Sequence, residues 1–185
     1  SFLSTPDNRI RSFYAVDGDY HLVTTSRAMV ERFFEAGKGE GSLGASKEFR
    51  HARMRMPLSR NDTIFAYLSD AFFRQILSPR YRVEMTRRMQ ASIDLELVQL
   101  ARLAARAEGK LADSIDDLVA ADLLPADFGR RADGSRPMFD AETGRVFDSV
   151  RGGRGNFTPI ADLDFDRVTR AEADAYNRFA DWYER

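Results

Sequence analysis

The chain contains no cysteine. That absence removes disulfides, thiolate nucleophiles, zinc–thiolate centres and iron–sulfur clusters together, and it leaves the compartment open. Histidine is nearly absent too. His21 and His51 stand far apart and outside any H-x-x-x-H or H-E-x-x-H spacing, so a histidine-centred metal site would also need distant carboxylates. No apolar run approaches the length that crosses a bilayer. Lysine is scarce: Lys38, Lys47 and Lys110 are the only ones among 28 basic residues, and the rest are arginine. The basic residues do not outnumber the acidic ones. The formal net charge is −1, whereas proteins that hold nucleic acid carry a clear basic excess. No nucleic-acid partner is therefore expected. The chain begins at Ser1 and shows no basic-then-apolar leader, so it is expected to be a mature product or a fragment of something longer.

What is present is an ordinary apolar fraction of 43% with 14 phenylalanines in 185 residues, enough for one core or for two small lobes. After turn residues at Pro6-Asp7-Asn8, the runs Ile10–Val16 and Tyr20–Thr25 join through Asp17-Gly18, a strong hairpin signal. Ser26 precedes a helix bearing Met29, Val30, Phe33 and Phe34, which Gly37–Gly41 ends. Ser46 starts a second helix, Thr63–Leu68 reads as a strand, and Asp70–Leu77 as a short helix. From Pro79 to about Glu108 the pattern stays helical, with Met85, Met89, Ile93, Leu97, Leu100 and Ala104 on one stripe and Leu95, Val98 and Leu103 widening it. A rod this long is expected to be the spine of the molecule.

Ser114 then caps a helix over Ile115–Ala121. Met138–Asp140 and Val146–Asp148 flank a turn at residues 141–144, and residues 151–161 read as a loop. Thr169 and Glu172 form a capping box for a final helix. The expected fold is α+β: an N-terminal β-hairpin and helix lobe over residues 1–78, then a mainly helical part over 79–185 with the long central helix and a small hairpin. A single compact unit made of both parts is the alternative expectation.

Four groups of residues invite a chemical reading. Arg151-Gly-Gly-Arg154-Gly155 places two arginines on a glycine-rich backbone that an anion can approach, although no strand-to-helix transition follows as a phosphate loop requires. Gly37–Ser42 lacks phosphate-loop spacing as well, and reads as a helix end. Asp162, Asp164 and Asp166 alternate as at the opening of a calcium loop, but Arg167 stands where the sharp-turn glycine belongs and Ala173 where the bidentate glutamate belongs. The plainer reading puts the three acids at the positive end of the last helix. Finally, Arg50, His51, Arg53, Arg55 and Arg60 form a local basic patch suited to an acidic protein surface. None of these is a catalytic constellation, and no cofactor is implied.

The segments DGDYHLVTTSRAMVERF, GSLGASKEFRHAR and TIFAYLSD, together with the C-terminal FTPIADLDFDRVTRAEADAYNRFADWY, resemble a pattern in large uncharacterised bacterial envelope or secreted proteins. The likeness covers about half the chain. It implies export and membership of a longer polypeptide, and it carries no functional residue across. Two readings of function follow. One is a non-enzymatic structural or protein-interaction domain of a larger exported bacterial protein, bound to its own neighbouring domains, to another protein or to itself. The other is a small-molecule or anion-binding module, or a hydrolase, using Arg151, Arg154 and Asp162, Asp164 and Asp166.

Overall fold

The computed structural model describes residues 1–5, 10–57, 59, 64–140 and 143–184. The turn expected at residues 6–8, Arg60, and half of the turn expected at 141–144 lie outside the described residues. Among those described, six α-helices and two three-stranded antiparallel sheets make an α+β fold.

The first sheet joins β1 (Phe2–Ser4), β2 (Arg11–Asp17) and β3 (Tyr20–Thr24) in that order. The hairpin forms where the sequence places it, one residue on in register. Asp17 pairs with Tyr20, so the central residues are Gly18 and Asp19. Gly18 has φ +57°, the left-handed backbone that glycine adopts most readily. β1 has no sequence signal of its own. It is held by main-chain pairing and by Phe2 stacked on Phe13, ring centres 4.4 Å apart.

Serine oxygens start the next helices. Ser26 caps α1 (Arg27–Gly37) and Ser46 caps α2 (Lys47–Arg55), each accepting an N–H from the third residue on. The strand expected over Thr63–Leu68 does not form across its described residues, 64–68. Phe65 and Tyr67 instead stand edge-on to Phe49 of α2, at 6.2 and 5.2 Å, so this segment is held by side-chain packing rather than by a main-chain ladder. α3 (Asp70–Leu77) and α4 (Pro79–Ala107) are capped by Ser69 and Ser78, and Pro79 occupies the first turn of α4. α5 (Ile115–Ala120) follows Ser114. The second sheet joins β4 (Pro137–Phe139), β5 (Val146–Asp148) and β6 (Gly152–Gly153), the last formed inside the expected loop. α6 (Arg170–Tyr183) begins with the expected capping box, both hydrogen bonds present.

The core lies between the second half of α4, α5 and the second sheet. Leu95, Val98, Ala101 and Ala105 of α4 meet Leu118, Leu124 and Val146 there. The first lobe adds little: among its described residues only Ala15 and Ser26 are buried. α4 also turns an unexpected face inward. Glu84, Arg87 and Asp94 are buried beside Ala91, Leu95 and Val98, while Met85, Met89, Ile93, Leu97, Leu100 and Leu103 are 40–66% exposed.

Asp162 joins the first lobe to the rest of the chain. Its Oδ1 accepts the Ser26 hydroxyl (2.8 Å) and the Ala28 N–H (2.9 Å), and its Oδ2 accepts the Arg27 N–H (2.7 Å) and Arg11 Nη2 (2.6 Å). Burial works to raise this carboxyl, but the two helix amides and Arg11 outweigh it and hold it below the usual carboxylate range. Asp162→Ala would strip α1 of this second cap and leave Arg11 without its carboxylate, held by its bond to the Thr25 carbonyl. The expected loss is about 2–4 kcal/mol in urea unfolding, with faster amide exchange at Arg27 and Ala28 than at the α4 amides.

Candidate functional site

The second sheet and the loop before it carry arginines and acids at positions that face the buried charges of α4. Arg151, in the turn between β5 and β6, is only 1% exposed. A buried guanidinium needs acceptors for its five N–H donors, and four such bonds hold Arg151 to Glu84, Asp133 and Ser135. Nε and Nη2 grip the Glu84 carboxylate at 2.6 and 3.1 Å, Nη2 also donates to Asp133 Oδ2 at 2.5 Å, and Nη1 donates to Ser135 Oγ at 2.9 Å. Asp148 fixes the turn that delivers Arg151: its Oδ1 accepts the backbone N–H groups of Val150 and Arg151 at 3.0 and 2.8 Å.

A second arginine repeats the arrangement further along the helix. Arg131 donates through Nε and Nη2 to Asp94 Oδ2 (3.0 and 2.7 Å), and through Nη1 to Ser135 Oγ (2.9 Å) and to Asp148 Oδ2. Ser135 stands between the two arginines, accepts from both, and donates its own proton to Asp133 at 2.7 Å. At the other end of the cluster Arg87 grips Glu172 at 2.7 and 3.0 Å and donates to the Arg167 carbonyl at 2.6 Å. Glu172 is thus both the capping-box residue of α6 and the partner of α4. Arg88 donates Nη2 to the Thr158 carbonyl, and its Nε, 3.7 Å from Glu84, is the one buried side-chain polar atom without a hydrogen-bond partner among the described residues.

The electrostatics follow from this geometry. Burial raises the Asp133 carboxyl, yet the hydrogen bonds from Arg151 and Ser135 prevail and bring its pKa down to about 2. Glu172 is lowered, chiefly by its bonds from Arg87. Burial alone would weaken the hold of Arg151 on its proton, but Glu84 and Asp133 more than offset it and its pKa is raised. Arg88, with less compensation, is lowered by burial. In all, Arg87, Arg88, Arg131 and Arg151 face Glu84, Asp94, Asp133, Asp148 and Glu172. A general base needs a carboxylate free to take a proton, and a serine nucleophile needs a base beside it. Here Arg151 and Ser135 both donate to Asp133, and the network contains no histidine. The arrangement is that of an ionic clasp.

The residues singled out in the sequence are brought together only in part: Arg151, Asp162, Asp164 and Asp166 border one cavity, and Arg154 does not. Arg151 lies at the centre of the clasp, while Arg154, three positions on, points outward to a half-exposed pair with Glu96 at 3.1 Å. Asp162 is committed to α1. Asp164 and Asp166 are exposed, and with Asp162, Arg11, Arg87, Arg151 and Arg167 they border a cavity of about 470 Å³ at the edge of the clasp. No group of three or more potential metal ligands forms among the described residues. Arg50, Arg53 and Arg55 lie on α2, with Arg53 over the Phe65 ring at 4.5 Å. His21 bonds the Tyr14 hydroxyl at 2.6 Å within the first hairpin, whereas His51 lies on α2. The sequence reading missed Glu84, Asp94, Arg131, Asp133 and Asp148. Their one available signal was charge on the Leu95–Val98 face of a long helix, at Glu84, Arg87 and Asp94.

Two outcomes test the clasp. Arg151→Met leaves Glu84 and Asp133 buried without their cation and is expected to cost about 3–5 kcal/mol. A double-mutant cycle with Glu84→Gln should return a coupling energy well above the error of chemical unfolding. The second concerns acid. Asp133 titrates near 3.8 when unfolded and near 2 when folded, so its contribution is complete above the first value and lost as pH falls through the second. Asp162 and Glu172 shift the same way. The thermal midpoint should fall steeply between about pH 4 and pH 2, and Asp133→Asn should lower it at pH 7 while flattening that acid slope.

No protein-family model, curated protein or solved structure matches this chain, so its function is read from this geometry.

Proposed function

We propose that this chain is a non-catalytic protein-interaction domain that pairs with a second copy of itself through the outward face of α4. The observation that carries the reading is surface area. The chain exposes 13373 Å², whereas a compact monomer of 21.0 kDa exposes about 9,000 Å². The surplus, about 4,000 Å² on each chain, exceeds the roughly 1,000–2,500 Å² that one partner contributes to an obligate interface, so it leaves ample surface for a second copy. The exposed residues include Phe2, Tyr20, Val23, Met54 and Ile64 in the first lobe, and six large apolar side chains on α4.

The α4 stripe favours a second copy as the occupant. From Met85 to Leu103 it runs about 27 Å, nearly centred on Ile93, the midpoint of the helix. A two-fold axis there lays the stripe against itself, as an isologous contact requires, with the two helix dipoles opposed. Glu96, the acid beside the stripe, pairs with Arg154, and the six stripe residues themselves are apolar, so the face suits an apolar partner surface. The wider setting, a larger exported bacterial protein, belongs to the same proposal and rests on the resemblance of the sequence segments alone.

Light scattering should give twice the 21.0 kDa chain mass and a concentration-dependent melting midpoint. Ile93→Glu with Leu97→Glu should yield a monomer of unchanged helical circular dichroism. A wild-type monomer at about 100 μM, where a micromolar interface is occupied, would overturn the self-pairing.

A further inference from the structure

A second cavity, of about 690 Å³, lies at the far end of α4 from the Arg87–Glu172 contact, between the last helical turns, the segment that follows them and the edge of the second sheet. Its volume is that of a small-molecule site. Its charge is unlike that of the rest of the molecule. The chain as a whole is balanced at −1, but this wall carries Arg102, Arg106, Lys110, Arg145 and Arg154 against a single acid, Asp113. These cations come from α4, the stretch after it, the β4–β5 connection and the turn beyond β6, so the fold and not one run of sequence assembles them.

The plainer account of Arg106 and Lys110 is that they neutralise the carbonyl end of α4. That end is already closed by main chain. Gly109 has φ +74°, the Lys110 N–H reaches the Ala105 carbonyl at 2.9 Å and the Gly109 N–H reaches Arg106 O at 3.0 Å, which is the Schellman closure. Arg106 has no ion pair or hydrogen bond from its side chain to any described residue. Arg102 is held in place by its bond to the Gly144 carbonyl and lies over the Phe139 ring at 4.9 Å. The competing pairs, Arg154–Glu96 and Lys110–Glu108, have all four side chains about half exposed, and such pairs contribute little and exchange readily. Leu103, Ala112 and Val146 give the same cavity an apolar wall.

We infer that this cavity binds a small organic polyanion, a molecule bearing two or more phosphate or carboxylate groups beside an apolar portion. Arg102 and Arg106 lie one helical turn apart and are placed to take one anionic group between them, with Lys110 and Arg154 at the rim for the second. This site adjoins the self-pairing surface proposed above and shares Leu103 with it.

The test is thermal unfolding with pyrophosphate and with citrate as probes, against sodium chloride at matched ionic strength. One or both probes should raise the midpoint by several degrees at saturation, and the stronger one identifies the phosphate or carboxylate class. Arg106→Glu should abolish the shift while leaving the ligand-free midpoint near that of the wild type, and Arg106→Gln should weaken it if the glutamate variant folds poorly. Arg27→Glu, on the remote α1 surface, should leave the shift intact. No shift with either probe beyond the chloride control, or a full shift retained in both Arg106 variants, would overturn the inference.

Discussion

Arg151 and the carboxylates of Glu84 and Asp133 form the contact on which the arrangement of the C-terminal part depends. The guanidinium belongs to the β5–β6 turn, Glu84 to the start of α4 and Asp133 to the loop between α5 and β4, so one buried cation fixes three separate segments. Arg131 makes the second attachment at Asp94, about three helical turns along. Two attachment points set both the position and the direction of the sheet on the helix. Desolvating these charges is costly, and well-packed apolar residues of the same volume can match or exceed the stability of a buried pair. What such residues would not supply is direction: a bidentate carboxylate–guanidinium contact tolerates few geometries, whereas apolar surfaces slide.

The same economy explains how the chain closes around α4 with few large apolar side chains. Glu172 caps α6 and binds Arg87; Asp162 caps α1 and binds Arg11. Each of these acids uses one oxygen pair both to satisfy helix amides and to tie that helix to another element. The first lobe is attached mainly in this way, and it buries little of its own apolar surface. Polar clasps therefore organise a fold whose apolar burial is modest for its length, and the uncovered area follows from that.

Local structure was legible in the sequence to the extent that it depends on near neighbours. The caps at Ser26, Ser46, Ser114 and Thr169, the hairpin at Gly18 and the extent of α4 all rest on residues within a few positions of one another. The clasp rests on pairs such as Arg151 with Glu84, 67 positions apart, and no spacing rule connects them. The inward face of α4 was hidden for a related reason. Periodicity ranks faces by apolar content, and the Met85–Leu103 stripe outranks a face that carries Glu84, Arg87 and Asp94. That second face goes inward because distant arginines neutralise its acids and Glu172 neutralises Arg87. Arg151 and Arg154 likewise look like one group in sequence, yet the turn sends one into the interior and the other to the surface.

The two proposed surfaces meet at one residue. Leu103 ends the exposed stripe of α4 and also lines the basic cavity. In an antiparallel pair the Leu103 end of one helix lies beside the Met85 end of its partner, so the partner helix stands at the cavity mouth and alters how a ligand is enclosed. A ligand that contacts Leu103 and the surrounding arginines then has a different affinity for the paired and unpaired chain. By thermodynamic reciprocity it must shift the pairing equilibrium by the same factor. The sign depends on what the partner brings to the mouth. Met85 and Met89 add apolar enclosure without an acid, which favours a ligand carrying an apolar portion beside its anionic groups. If the chain pairs and binds as proposed, anion binding and self-association reinforce each other.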